Sequence, residues 1–189
     1  MGTSSASGAL PQFNPGDLVL LGGRPLQGKT VLASQLAIQV ARAGWRTYYF
    51  TLDEPEATVR ARLENQGADE DVLADRLVID TSDDICADYI VDSVGETNAS
   101  AFVVVDYLQL LDQRRTNPEL ADQVQTLSSL TRRTGAVVVA ISQIHRSFET
   151  AGKTVPELSD VRLPNPLDLS IFTKACFVHR GEVRLHGRP

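Results

Sequence analysis

The sequence predicts an α/β domain with a largely parallel central β-sheet flanked by helices. Three observations predict it. Short apolar runs alternate with helical patterns along most of the chain. Several of those runs show no polar alternation, as strands buried on both faces require. The first run and the first helix are joined by Gly23-Arg24-Pro25-Leu26-Gln27-Gly28-Lys29-Thr30, which reads G-x-x-x-x-G-K-[ST], the phosphate-binding loop.

Taken in order, residues 17–21 are apolar after Asp17 and lie near glycines, the pattern of a buried strand. Residues 31–43 space apolar side chains at helical intervals and close on Gly44, a good C-terminal cap. Residues 47–52 are aromatic and β-rich and predict a second strand, ending at Asp53-Glu54-Pro55. Proline suits a first helical turn, so a helix is expected over 56–66, closed by Gly67. The acidic stretch 68–75 is too weakly periodic to assign and leads to a short strand at 76–80. Thr81-Ser82-Asp83-Asp84 is a helix-start cluster, and Ile85, Ile90, Val91 and Val94 supply the buried stripe that follows. Residues 101–106 form a fourth apolar run, and a polar loop at 113–117 precedes a helix from Pro118 to about Thr134. Gly135 ends that helix and 136–142 is a fifth buried strand. Residues 143–166 read as a long functional loop. Two short runs around Gly181, 175–179 and 183–186, predict a terminal hairpin.

A chain of 189 residues is most simply one domain, here 15–189, preceded by a flexible leader at 1–14. The leader is small, polar and uncharged up to Gln12, unlike a signal or transit peptide. No apolar run approaches the ~20 residues of a membrane helix, which leaves no membrane partner. Cys86 and Cys176 are too few for a disulfide framework and lack metal-ligand spacing, so the expected setting is a reducing cytoplasm. The net charge of −6 is unevenly spread: residues 1–50 carry +3, residues 51–100 carry −11 and residues 101–189 carry +2. An acidic middle argues against a protein coated with nucleic acid, but not against local binding through loops elsewhere.

The loop dictates a chemistry. Gly23 and Gly28 let the backbone curl so that its N–H groups and the helix N-terminus face a phosphate chain. Lys29 can reach the outer phosphates, and the Thr30 hydroxyl can bind Mg²⁺. A triphosphatase needs a second magnesium holder, a group that positions water and a sensor of the γ-phosphate. In parallel sheets these groups emerge at the C-terminal ends of strands. Asp106, after four apolar residues, has the setting of a magnesium-holding aspartate. Asp53 or Glu54 can orient the attacking water, or alternatively cap the next helix. Gln143 is placed to hydrogen-bond the γ-phosphate. Basic groups sit in the loops beyond: Arg114 and Arg115 in one, Arg146 and Lys153 in the other, a track suited to a phosphate backbone. ATP and Mg²⁺ are the expected ligands.

At these residues the chain resembles the RecA-like ATPase domain of DnaB-type replicative DNA helicases. Gly22 to Thr30, with its Arg-Pro, is similar to that family's Walker A. Val104-Val105-Asp106-Tyr107-Leu108-Gln109-Leu110 is similar to its Walker B, and Val139 to Ser147 to its glutamine motif, with His145 in place of the usual Asn. Ser159-Asp160-Val161-Arg162 resembles a Ser-Asp-Leu-Arg segment of the family, and residues 77–81 also have a counterpart there. The likeness runs from about Gly16 to Val183. It implies a RecA-like P-loop NTPase core in which Lys29, Thr30 and Asp106 bind Mg·ATP and Gln143 senses the γ-phosphate. It also implies single-stranded DNA facing the loops after Asp106 and Gln143, and a homo-oligomeric ring or filament.

The chain departs from that pattern in four respects. The family's catalytic glutamate falls on Asp53, one methylene shorter, with Glu54 beside it. The stretch between Leu63 and Leu77 is shorter than its counterpart. The sequence carries no counterpart of the family's N-terminal helical domain or linker helix. It ends at Pro189, before the strands that bear an arginine finger, for which Arg180, Arg184 and Arg188 are candidate substitutes. Two functions follow: a DNA-stimulated, helicase-like ATPase of replication or repair, or a nucleotide-binding accessory protein, a reduced helicase relative without unwinding activity of its own.

Overall fold

The computed structural model describes residues 10–95, 101–114, 116–150, 152–163 and 165–187. Its strands are β1 (Leu18–Gly23), β2 (Arg46–Thr51), β3 (Leu77–Asp80), β4 (Ala101–Asp106), β5 (Val137–Gln143), β6 (Lys174–His179) and β7 (Glu182–Gly187). They form one sheet in the order β3-β2-β4-β5-β1-β6-β7. Every pairing is parallel except that of β6 with β7. The expected α/β architecture is present, with the parallel strands at its centre.

The burial of the strands explains their composition. Every residue of β1 and β4 is buried, because helices cover both faces of the sheet. On one face, Val19, Leu21, Tyr49, Val104 and Val139 pack with α1 (Lys29–Arg42), α2 (Glu56–Asn65) and α3 (Glu70–Asp75). On the other, Leu18, Leu20, Phe50, Val103, Val105 and Val138 pack with α4 (Ala87–Val94) and α5 (Leu120–Thr134). The α5 stripe of Leu120, Val124, Leu127 and Leu130 is fully buried, as its i, i+4, i+7 spacing requires. Gly44, at φ 93, ends α1 as expected: its N–H reaches Ala41 O, and Trp45 N–H reaches Val40 O. The β6–β7 hairpin turns through Arg180 (φ 50) and Gly181 (φ 79), two positive φ values in a two-residue turn.

Four stretches differ from the sequence expectation. The Thr81–Asp84 cluster starts no helix: Ser82 N–H donates to Asp80 Oδ1 and Asp84 N–H to Ser82 Oγ in local turns, and α4 begins only at Ala87. Residues 70–75, whose pattern is weakly periodic, form α3, capped by the Asp69 carboxylate on Val72 N–H at 3.1 Å. Only Val72 and Leu73 are buried in it, so a turn and a half offers no period to detect. A 3₁₀ helix (Leu108–Asp112) fills the approach to the 113–117 loop, its leucines buried. The 143–166 segment holds a short α6 (Ser147–Thr150), a 3₁₀ turn (Leu158–Asp160) and a bridge from Ile144 to Val161. Near the N-terminus, Leu10 and Phe13 are partly buried against the α1 side of the core, and Asn14 N–H donates to Asp17 Oδ2 at 2.6 Å. Residues 1–9 of the expected leader lie outside the described residues.

β1 sits between β5 and β6, while the chain leaving β1 returns as β2 on the far side of β4. Strand order reverses at β1. In open α/β sheets such a reversal opens a crevice at the carboxyl ends of the strands, and the glycine loop lies there.

Candidate functional site

The glycine loop, residues 23–30, connects the end of β1 to the first turn of α1. Gly28, at φ 93, takes a left-handed conformation that side-chain-bearing residues rarely adopt. Gly23 is required for space instead: a Cβ there would lie 2.9 Å from Val178 O and 3.0 Å from Lys29 Cγ. The Lys29 stem thus lies against a bare backbone. Its Nζ donates to Arg24 O at 2.9 Å, and the residue is buried. Burial pulls the Lys29 ammonium below its ordinary pKa, Asp106 opposes that pull, and Arg24 adds to it. Arg24 and Gln27 are half-buried, while Pro25 and Leu26 are exposed at the loop's tip.

Asp106 ends β4 behind this loop and is 3 % exposed. Its Oδ2 accepts from the Tyr49 hydroxyl at 2.8 Å. Its Oδ1 is buried with no hydrogen-bond partner among the described residues. Burial pushes the carboxyl up to about 6, against the Tyr49 bond, the nearby Thr30 hydroxyl and the Arg62 charge, which lower it. An unpartnered buried carboxylate oxygen beside a threonine hydroxyl is a hard-oxygen donor pair, and the lysine next to them is a cation suited to phosphate oxygens, not a metal ligand. The pair fits Mg²⁺, which keeps several waters and takes one or two carboxylates plus phosphate oxygens. Among the described residues no group of three or more His, Cys, Asp or Glu could hold a metal by itself.

The two acidic residues after β2 part company. The Glu54 carboxylate is ion-paired with Arg62 Nη1, and Glu54 is near enough to Asp106 to raise its pKa. Arg62 also reaches Ser34 Oγ at 3.3 Å and the Tyr49 hydroxyl at 3.4 Å, with its guanidinium 5.7 Å from the Tyr49 ring centre. Glu54, Arg62, Tyr49 and Asp106 therefore form one connected network. Asp53 is exposed and faces the Tyr107 hydroxyl, whose pKa is pushed to about 12 by burial first and by the charges of Asp106 and Asp53 next. Neither carboxylate caps α2, whose N-cap is Pro55 without a side-chain bond. Tyr49, Arg62 and Ser34 carried no recognisable signal in the sequence; Tyr49 reads there only as part of an aromatic strand.

Gln143 ends β5 opposite Gly23 of β1 in the strand register. It lines a cavity of about 380 Å³ with Tyr107, Gln109, Asp112, Gln113 and Arg162. Gln109 Nε2 spans that cavity's wall, donating to Ser142 Oγ at 3.1 Å and Arg162 O at 2.9 Å. The basic loop residues are more engaged than their sequence suggests. Arg114 donates to Asp84 Oδ1 at 2.6 Å, and Lys153 reaches both Asp160 oxygens at 3.1 Å and Glu157 at 3.3 Å. Arg146 is exposed, with no ion pair among the described residues. Arg115 lies outside the described residues, as does Arg188. Arg184 is paired with Glu182, and the Arg180 N–H donates to Gln27 Oε1 in the glycine loop at 2.7 Å.

Comparison with known proteins agrees with this geometry. Residues 68–170, more than half of the chain, match the model of the DnaB-like helicase C-terminal domain. The chain is 29% identical to the DNA repair protein RadA of Brucella abortus over 152 residues, covering 77% of this chain and 32% of that protein. It is 26% identical to the replicative DNA helicase DnaB of Haemophilus influenzae over 206 residues, covering 90% of this chain and 44% of that one. The chain thus spans less than half the length of these relatives. A solved DnaB-like replicative helicase, described with its interactions with primase, superposes with a TM-score of 0.72 at 20% identity. That superposition covers 89% of this chain and 48% of the other, a likeness of fold. With a RecA-like sheet and the family match over residues 68–170, this chain belongs to the family of DnaB-like helicase C-terminal domains.

Proposed function

We propose that the chain binds Mg·ATP at the glycine loop and hydrolyses it, as a helicase-like ATPase acting on single-stranded DNA in replication or repair. The observation that carries this reading is the buried, unpartnered Asp106 Oδ1 next to Thr30 and Lys29. A buried acceptor left without a donor is costly, and a hydrated cation would satisfy it. Lys29 would exchange Arg24 O for phosphate oxygens, and the Gly23–Thr30 backbone would donate its N–H groups to them. Glu54 or Asp53 would orient the attacking water. Bound Mg²⁺ would supply charge neutralisation across the outer phosphates. Gln143, opposite Gly23, would hydrogen-bond the γ-phosphate. The exposed cation at Arg146, with Arg114, Arg115 and Lys153, would meet the strand in a homo-oligomer.

The test is calorimetry of Mg·ATP binding to wild type and Lys29→Ala. Binding by the wild type and its loss in a folded variant are expected; equal affinity in the two would sink the reading. A second function has its own support. Asp53 stands where the resemblance expects a glutamate, and Glu54 is already held by Arg62. These favour a nucleotide-binding accessory protein that turns over slowly and unwinds nothing alone. ATP turnover measured with and without single-stranded DNA separates the two.

A further inference from the structure

The phosphate-binding loop is held from outside, on two sides. Its backbone bond from Gln27 N–H to Arg24 O is long at 3.3 Å, and its tip residue Leu26 has φ 64 with the side chain fully exposed. Arg24 is the junction of the loop. Its carbonyl accepts from Lys29 Nζ at 2.9 Å, while its guanidinium donates to Ile144 O at 3.0 Å and to Glu149 Oε1 at 3.1 Å. Both of those partners follow β5, in the segment that carries Arg146. That segment is pinned at Ile144 and Phe148, the latter with its ring edge-on to His179 at 5.1 Å, while residues 145–147, 149 and 150 are exposed. The residue after His179 closes the circuit, since the Arg180 N–H donates to Gln27 Oε1 at 2.7 Å.

We infer that Glu149 is a positioning residue which, through Arg24, couples the occupancy of the phosphate loop to the conformation of segment 144–150. The inference rests on the nucleotide-binding reading above and adds its route of regulation. Arg24 offers one carbonyl to Lys29 and one guanidinium to Glu149 and Ile144. When Lys29 leaves that carbonyl for phosphate oxygens, the Arg24 backbone loses its charged donor and keeps only the long bond from Gln27 N–H, so it is held less tightly. The guanidinium moves with it, and its two acceptors lie on the segment that presents Arg146. Glu149 is 51% exposed and the pair adds little to stability. Its value is directional, because Oε1 fixes one end of a fork whose other end holds a backbone carbonyl. A coupling free energy between two sites needs such an element with two arrangements. The exchange Lys29–Arg24 to Lys29–phosphate provides them.

The experiment is hydrogen exchange of the chain with and without a slowly hydrolysed Mg·ATP analogue, at concentrations saturating each protein, with affinity measured by calorimetry. In the wild type, nucleotide is expected to change exchange in 144–150. Glu149→Ala should remove most of that response, with nucleotide affinity kept within about threefold. Glu149→Gln, which keeps an acceptor oxygen, should restore most of it. A residue that merely props the segment would lower stability and leave the response to nucleotide intact. Nucleotide binding without any change in 144–150, or a response that Glu149→Ala leaves at the wild-type level, would overturn the inference alone. Absence of nucleotide binding in the wild type would overturn the functional reading and the coupling together.

Discussion

The Tyr49 hydroxyl donates to Asp106 Oδ2 at 2.8 Å and leaves Oδ1 of the same buried carboxylate without a partner. The tyrosine fixes the orientation of the group and keeps one oxygen available. Arg62 grips the same tyrosine and Glu54 together, so the carboxylates at the ends of β2 and β4 are held as one unit.

Tyr49→Phe tests this directly. Removing the hydroxyl leaves a second Asp106 oxygen buried and unpaired, which costs about 1–3 kcal/mol. Urea unfolding at neutral pH should show that loss. Combined with Asp106→Asn, the two changes should be non-additive, since they share one hydrogen bond. Additive losses would mean that the bond contributes nothing specific.

The assignment of the water-orienting group is open between Asp53 and Glu54, and their surroundings sharpen the choice. Glu54 is near Asp106 but tied to Arg62; Asp53 is exposed and one methylene short of the glutamate expected there. Asp53→Asn and Glu54→Gln should be assayed separately for ATP turnover. One of them should lower it at least tenfold, about 1.4 kcal/mol of barrier. If both retain wild-type turnover, neither carboxylate positions the water.

What the sequence made legible is what depends on local pattern. The glycine loop has fixed spacing, β4 is an unbroken apolar run ending in Asp106, and α5 repeats at helical intervals. Each can be read because the chemistry and the period lie within one short window. The network behind the loop cannot. Tyr49 and Asp106 are 57 residues apart, and Arg62 meets Ser34 across 28. Arg114 reads as a free cation until folding brings Asp84, 30 residues earlier, beside it. Charge pairing at such distances belongs to the topology and leaves no mark on either stretch alone.

Acid should expose the cluster under β1. Asp17 accepts from Thr173 Oγ1 at 2.8 Å and Asn14 N–H at 2.6 Å, and pairs with Lys174 Nζ at 2.7 Å. Burial alone would raise its pKa, but these partners outweigh it and hold the carboxyl below the usual value. A depressed folded-state pKa means that the stabilisation is present above the unfolded value, about 3.9, and is lost as pH falls through the folded value. Asp17→Asn should therefore lower stability at pH 7 by on the order of 2 kcal/mol, between exposed and buried pairs. It should also flatten the fall in stability below about pH 4, where the variant has no carboxylate to protonate. Thermal unfolding across that range checks it, and an unchanged slope would refute the role of the pair.

The four basic residues of the loops should not contribute equally to a bound strand. Lys153 already has Asp160 and Glu157 as partners, and Arg114 has Asp84. A phosphate must displace those carboxylates before it gains either cation. Arg146 is exposed and carries no such competitor among the described residues. Each phosphate neutralised adds roughly 0.7 to the logarithmic salt slope for single strands, so a single unopposed arginine among the described loop residues gives only weak, salt-sensitive binding to a monomer. Several copies around one strand would multiply the same contact through effective concentration. The expected result is that Arg146→Ala weakens single-stranded DNA binding and reduces its salt slope. Lys153→Ala and Arg114→Ala should change both much less, with Mg·ATP affinity unaffected in all three. The measurement is fluorescence anisotropy of a labelled oligonucleotide at several salt concentrations, with particle size determined alongside. Tight binding by a demonstrated monomer that Arg146→Ala leaves unchanged would show that the strand is held by another surface.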